Sequence, residues 1–427
     1  MPPRVAGALP WIGAGLRVLR DPTAFFADAR RRYGDTYVVD AFGYRMFCVF
    51  SPAGVRALYA LPEAEASKGY ADVALLRHKL PEELFQGRRN FPHHLFGTQE
   101  VEGYLDNLEA VVAHELDALG DRGRFEAFAF CRRLGHRLGL ASWAGAEAAS
   151  PRHLARLIAA LERLDASESF VHPARAFTTW VTGKRRERAA LRDIEAVFAT
   201  IFTERRRDGR RPGDFVDRIW HSFADLDEPE RSIATARDVV MIHMGSQSNL
   251  FAAMGWTLVN VLAHPEVAAA VRAGDTALLE SAASESIRLA QRSITLRAVL
   301  QPISVDDGQT SFRIEPGVFV TTMLPVTNCS AASGYDRFEP GRYHGRRLVG
   351  ADALPARELV STFGHGRHAC PAQRFSISAI RTAVSRLLDR YECAPEYARA
   401  EPLRRQLGGV ARPAAPCPVR YTRRGAG

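Results

Sequence analysis

Residues 361–372 read Ser-Thr-Phe-Gly-His-Gly-Arg-His-Ala-Cys-Pro-Ala, which sets a thiol, two histidines and an arginine among two glycines. Cys370 is followed by Pro371, a residue suited to the first turn of a helix, so the sulfur is expected at a helix N-terminus. Unpaired N–H groups and the positive end of the helix dipole lower a thiol pKa, which predicts a thiolate at neutral pH. Gly364 and Gly366 permit a tight turn and the close approach of a flat ligand, on which Phe363 can pack. Arg367 and His368 offer charge and hydrogen bonds to carboxylates at the ligand's edge. A haem suits all of these, because its iron takes a soft anionic axial ligand and its propionates take cations. Two other readings fit the local pattern as well: a buried structural thiol, and a nucleophile activated by a nearby histidine. The nucleophile also needs a base oriented by a third group, which the sequence does not mark.

The elements that must position this loop are those of a large helical protein. Pro22 to Tyr33 reads as a helix, and two β-rich runs flanking Gly43 predict a hairpin. From about residue 100 to 295 the apolar periodicity is helical. Thr235 to Leu262 forms one long helix in this reading, stopped before His264-Pro265. After Arg292 the pattern changes to short strands, with Asp307-Gly308 and Pro316-Gly317 as turns. Ile380, Val384, Leu387, Leu388 and Tyr391 then recur at helical spacing. The fold class is mainly α with a small β part. A single catalytic domain over 1–427 is expected, β-rich at about 34–60 and 293–325 and helical at about 95–295 and 371–392.

Composition narrows the function classes. With 46% hydrophobic and 25% charged residues, the 427-residue chain reads as an ordinary globular protein. Charged residues interrupt every apolar stretch, and the Met1-Pro2-Pro3-Arg4 start lacks a signal-peptide core, so neither a membrane anchor nor export is expected, and the location predicted is cytoplasmic. Six scattered cysteines with no CxxC pair give no zinc or iron–sulfur pattern. The net charge of +9 comes almost wholly from Arg, lysine occurring only at 68, 79 and 184. These arginines are mixed with acids and accompany no recognition motif, so a solvated basic surface is expected and nucleic-acid binding is not.

Phe363-x-x-Gly366-x-x-x-Cys370 resembles the haem-binding loop of the cytochrome P450 family, with Ala372 where that family usually has Gly. Glu285-Ser-Ile-Arg288 and Arg342 in Phe-Glu-Pro-Gly-Arg-Tyr resemble the family's buried charge network, and residues 9–39 resemble its opening segment without an anchor. The resemblance implies the P450 fold, a triangular helical prism with a long central helix over haem b. It also implies Cys370 as the axial iron ligand, with Arg297 and His368, and His93 or His94, reaching the propionates.

The distal groove of the long helix is then Gly245-Ser-Gln-Ser-Asn249, with Ser248 and Asn249 where most members carry an acid and Thr. An acid and an alcohol can relay protons to bound dioxygen, whereas an amide is a poor proton carrier. The segment looks most like the branch holding cholesterol 7α-hydroxylase and prostacyclin synthase, one of which hydroxylates and the other only isomerises. Catalytic roles are therefore expected for Asn249, Ser248, Gln247 and Gly245, and substrate contacts for Met244, Leu250, Phe170 and Phe177. The first function implied is dioxygen-dependent hydroxylation of a small or medium hydrophobic metabolite in bacterial secondary metabolism, by a monomer served by a ferredoxin and its reductase. The alternative is a rearrangement, or an oxo- or nitrene-type transfer, on a substrate with a preformed O–O or N–O bond. A haem carrier or sensor without turnover is a third reading. Arg374, Arg381, Arg386 and Arg390, with Arg132, Arg133 and Arg137, are candidate ferredoxin-docking cations, though solvated helix faces and an Arg-heavy composition account for them at least as well.

Overall fold

Strands β1 (Thr36–Ala41) and β2 (Tyr44–Val49) pair antiparallel from Thr36↔Val49 to Ala41↔Tyr44, leaving Phe42 and Gly43 as a two-residue loop. Their φ values of 51° and 80° meet the requirement of a type I′ turn, whose twist matches the flanking strands. This hairpin belongs to a computed structural model that describes residues 2–7, 10–88, 98–165, 173–210, 212–345 and 347–425. The short β3 (Ala66–Ser67), β5 (Ile294–Val299) and β8 (Val318–Met323) complete a five-stranded sheet in the order β1-β2-β8-β5-β3. Only the β2–β8 pair is parallel. A separate hairpin joins β6 (Ile303–Asp306) to β7 (Ser311–Ile314) through the predicted Asp307-Gly308 turn. A three-stranded sheet places Pro418–Arg423 between Tyr391–Pro395 and β4 (Arg122–Glu126).

The body is helical: α1 (Thr98–Asp117), α2 (Ala127–Gly139), α3 (Pro151–Leu164), α4 (Arg185–Arg207), α5 (Glu230–Ala263), α6 (Thr276–Ala290) and α7 (Gln373–Arg390). The 34 residues of α5 span about 50 Å, and His264-Pro265 ends it because proline excludes the helical conformation before it. It begins at Glu230, earlier than the periodicity marks. From Leu250 to Leu262 every residue of α5 except Asn260 is buried, so the helix is enclosed on all sides. Its crossing with α2 is close: a Cβ on Gly139 would lie 2.7 Å from Gln247 Cγ, and only glycine allows that approach. Among the described residues no helix is long and apolar enough to cross a membrane.

Candidate active site

The Cys370 loop closes on itself. The Cys370 N–H donates to the Phe363 carbonyl at 2.6 Å. Gly364 has φ of 79°, and a Cβ there would meet the His368 carbonyl oxygen at 2.6 Å, so the turn demands glycine. Gly366, at φ of 58°, opens the short turn Gly366–His368. α7 begins at Gln373 with Ala372 as its N-cap, which leaves Cys370 just outside the helix. Burial pushes the Cys370 thiol up, and the Ala372 N–H offsets this only in part. The thiolate expected of the bare loop is thus corrected: desolvation outweighs the helix terminus, and deprotonation is left to a metal.

Cys370 borders a cavity of about 1180 Å³. Phe363, Gly364, His368 and Arg297 line one end, while Gly245, Ser246, Asn249, Leu250 and Ala253 line the wall made by α5. Gly245 and Asn249 are exposed in the middle of a buried helix because they face this space. Phe177 and Trp180, exposed at 64% and 75%, lie at its rim.

At the Arg297 end the structure adds a residue that sequence reasoning missed. Arg297 is 1% exposed and donates to the carbonyls of Leu61, Ala66 and Tyr59. Its guanidinium also lies 3.4 Å from Glu63, and His368 Nε2 lies 3.0 Å from the same carboxylate. Burial works against ionising Glu63, yet hydrogen bonds from Ser67, Gly69 and Lys68 hold it down to about 2. Burial lowers the His368 pKa, with Arg297 adding to the effect. No local motif marks Glu63, which is far from Arg297 in sequence.

The buried charge network is complete. Arg288 donates twice to Glu285, both bonds at 2.7 Å and both side chains fully buried, and Arg342 Nε reaches Glu285 at 3.0 Å. The remaining Arg288 donors go to the Asn328 and Tyr335 carbonyls. Such a pair is tolerable in the interior only because its polar atoms are satisfied. A cysteine, the Arg297 guanidinium and the His368 imidazole around one apolar cavity, with small Gly245 and Ala253 on its α5 wall, fit a haem with its anionic propionates.

On the α5 wall the expected residues divide. Asn249 lines the cavity and its Oδ1 accepts from the Val410 N–H at 2.9 Å, which leaves the NH2 as the amide's group for a ligand. Leu250 and Gly245 also line it. Gln247, Ser248 and Met244 do not, which corrects three expectations: Gln247 is fully buried against α2, Ser248 accepts from Arg412 at 3.4 Å, and Met244 packs on the core. The rotation of α5 about its axis sets this division, and a helix buried all round gives no sequence signal for it. His93, His94 and Phe170 lie outside the described residues.

No protein-family model matches the chain. It is 21% identical to the 24-hydroxycholesterol 7-alpha-hydroxylase of Mus musculus, over 99% of this chain and 93% of that protein. The Homo sapiens protein of the same name is 20% identical over 99% and 94%. Cytochrome P450 monooxygenase 103 of Postia placenta is 27% identical over 47% and 46%. The similarity runs the length of the chain and, with the cysteine loop and cavity found here, supports the cytochrome P450 family and an enzyme of P450 monooxygenase type, with 7-alpha-hydroxylases among its relatives.

Proposed function

We propose that the enzyme carries haem b and uses dioxygen to hydroxylate a small or medium hydrophobic metabolite in bacterial secondary metabolism, with electrons from a ferredoxin and its reductase. The observation that carries this reading is the continuous cavity of about 1180 Å³, which joins Cys370 to an apolar wall of α5 open for a ligand. When bound, the haem supplies dioxygen activation and C–H oxidation. Cys370 would hold its iron, Phe363 and Gly364 border its pocket, and Arg297 and His368 would hold its propionates in competition with Glu63. Leu250, Ala253, Leu296 and Phe319 exclude water and orient the apolar substrate. Asn249 offers two N–H donors and no transferable proton, so it orients an oxygen-bearing group rather than protonating it.

That fixed amide also favours a second reading, in which a preformed O–O or N–O bond is rearranged, or its oxygen or nitrogen transferred, while Asn249 steers the departing group. For electron delivery, Arg381, Arg386 and Arg390 on α7 pair with Glu280, Glu109 and Asp117. Exposed pairs of this kind are weak and yield readily to a partner's carboxylates. Product assays with and without reductant and dioxygen separate the readings. An absolute need for both is expected, and turnover without either would replace the hydroxylase by the rearrangement.

A further inference from the structure

Hydroxylation consumes dioxygen, two electrons and two protons for each C–H bond converted to C–OH with release of water, yet the cavity wall holds no acid on α5. The α5 hydroxyl that borders the cavity is Ser246, which donates to the Ile242 carbonyl at 2.8 Å and lies 3.3 Å from Gln247 Nε2. Behind it, Gln247 Oε1 and His243 Nδ1 are buried with no hydrogen-bond partner among the described residues. Both side chains press on the same point of α2: a Cβ on Gly139 would lie 2.8 Å from Gln247 Cδ and 2.9 Å from His243 Cε1. His243 Nε2 meets His136 Nδ1 at 2.9 Å, and the two rings are 2% and 4% exposed. His136 Nε2, also unpartnered as a hydrogen bond, lies 3.8 Å from Glu162 Oε1, whose side chain is 41% exposed. Buried polar atoms left open in this way are where proteins hold ordered water.

We propose that Glu162, His136 and His243 form a proton route from the surface, continued to Ser246 at the cavity wall by ordered water that Gln247 Oε1 holds beside His243 Nδ1 and that carries the proton past the amide. The purpose of the route rests on the monooxygenase reading. His136 donates through Nδ1 to His243 Nε2, which leaves His243 protonated on Nδ1 toward the gap. A proton taken up at His136 Nε2 releases the Nδ1 proton to His243. His243 then releases its own Nδ1 proton to the water and, through Ser246 Oγ, to the cavity. One proton enters and one leaves, no electron moves, and ring reorientation resets the tautomers. The neutral resting state agrees with the surroundings. Burial holds His136 down to about 4, with Asp165 opposing and Arg132 and Arg412 assisting, and burial and His136 lower His243.

Two measurements test this. In the wild-type protein labelled with 15N-histidine, His243 is expected as the Nδ1–H tautomer with that proton exchanging rapidly with water. An Nε2–H tautomer, or an Nδ1 proton protected from exchange, overturns the route. In the haem-loaded enzyme with substrate, reductant and dioxygen, His136→Phe and His243→Phe should each raise the ratio of peroxide to product on the order of tenfold, within what a lost proton donor removes. An unchanged ratio in variants that keep their haem overturns the route; if they do not keep it, the exchange result on the wild type decides. Wild-type turnover without dioxygen would instead overturn the monooxygenase reading, and the exchange measurement would still judge the water-linked pair.

Discussion

Behind the cysteine loop, charge meets charge: Glu285 takes two bonds from Arg288 and one from Arg342, and the spare guanidinium donors end on carbonyls. Across α5 the opposite holds, for Gln247 Oε1, His243 Nδ1 and His136 Nε2 are buried without a hydrogen-bond partner among the described residues. The first region is saturated and serves to hold a shape. The second retains unspent hydrogen-bonding capacity at a cost in stability, which is what a site that moves protons needs.

The largest effect expected on either side is that of Glu285→Ala. It strands the Arg288 guanidinium in a fully buried place and should cost about 3–5 kcal/mol in denaturant unfolding. A loss below about 1 kcal/mol would break the contrast. Next comes acid stability. The folded-state pKa of His136 is depressed from 6.5 to about 4, so below pH 6.5 the unfolded chain binds a proton that the folded one refuses. The stability from this group is therefore complete above pH 6.5 and is lost as the pH falls toward 4, by about 3 kcal/mol. His136→Phe should flatten that part of the unfolding free-energy curve; an unaltered slope contradicts the buried neutral ring.

A smaller effect follows for Asn249→Ala, which removes the acceptor of the Val410 N–H and should cost about 1 kcal/mol. Unfolding measured beside product analysis sharpens the comparison, because a change in product with little change in stability marks the amide as an orienting group. Smallest is Arg386→Ala, whose exposed pair with Glu109 should shift stability within ~0.5 kcal/mol. If a ferredoxin docks there, its KM rises while kcat holds.

These two sides were not equally legible. The Gly-punctuated loop, the Glu285–Arg288 spacing and the stop at Pro265 are local patterns, and each forms the element it predicts. What the sequence hid depends on how distant segments face each other. Glu63 meets Arg297 and His368 only through the β3–β5 pairing, and His136 meets His243 only because Gly139 lets α2 close on α5. Gln247 and Ser248 sit beside Asn249 in the chain yet turn away from the cavity, since one residue of helix is a rotation of about 100°. The Cys370 thiol went the other way from its expectation because burial is a property of the folded loop and not of its motif.

The bond on which the account depends is that between the Cys370 sulfur and a haem iron. The absorption spectrum of the reduced, CO-bound protein tests it directly, wild type against Cys370→Ala. The wild type should show the red-shifted Soret band of thiolate ligation and the variant should lose it. An identical band in both proteins, or a wild type that takes up no haem, would contradict it.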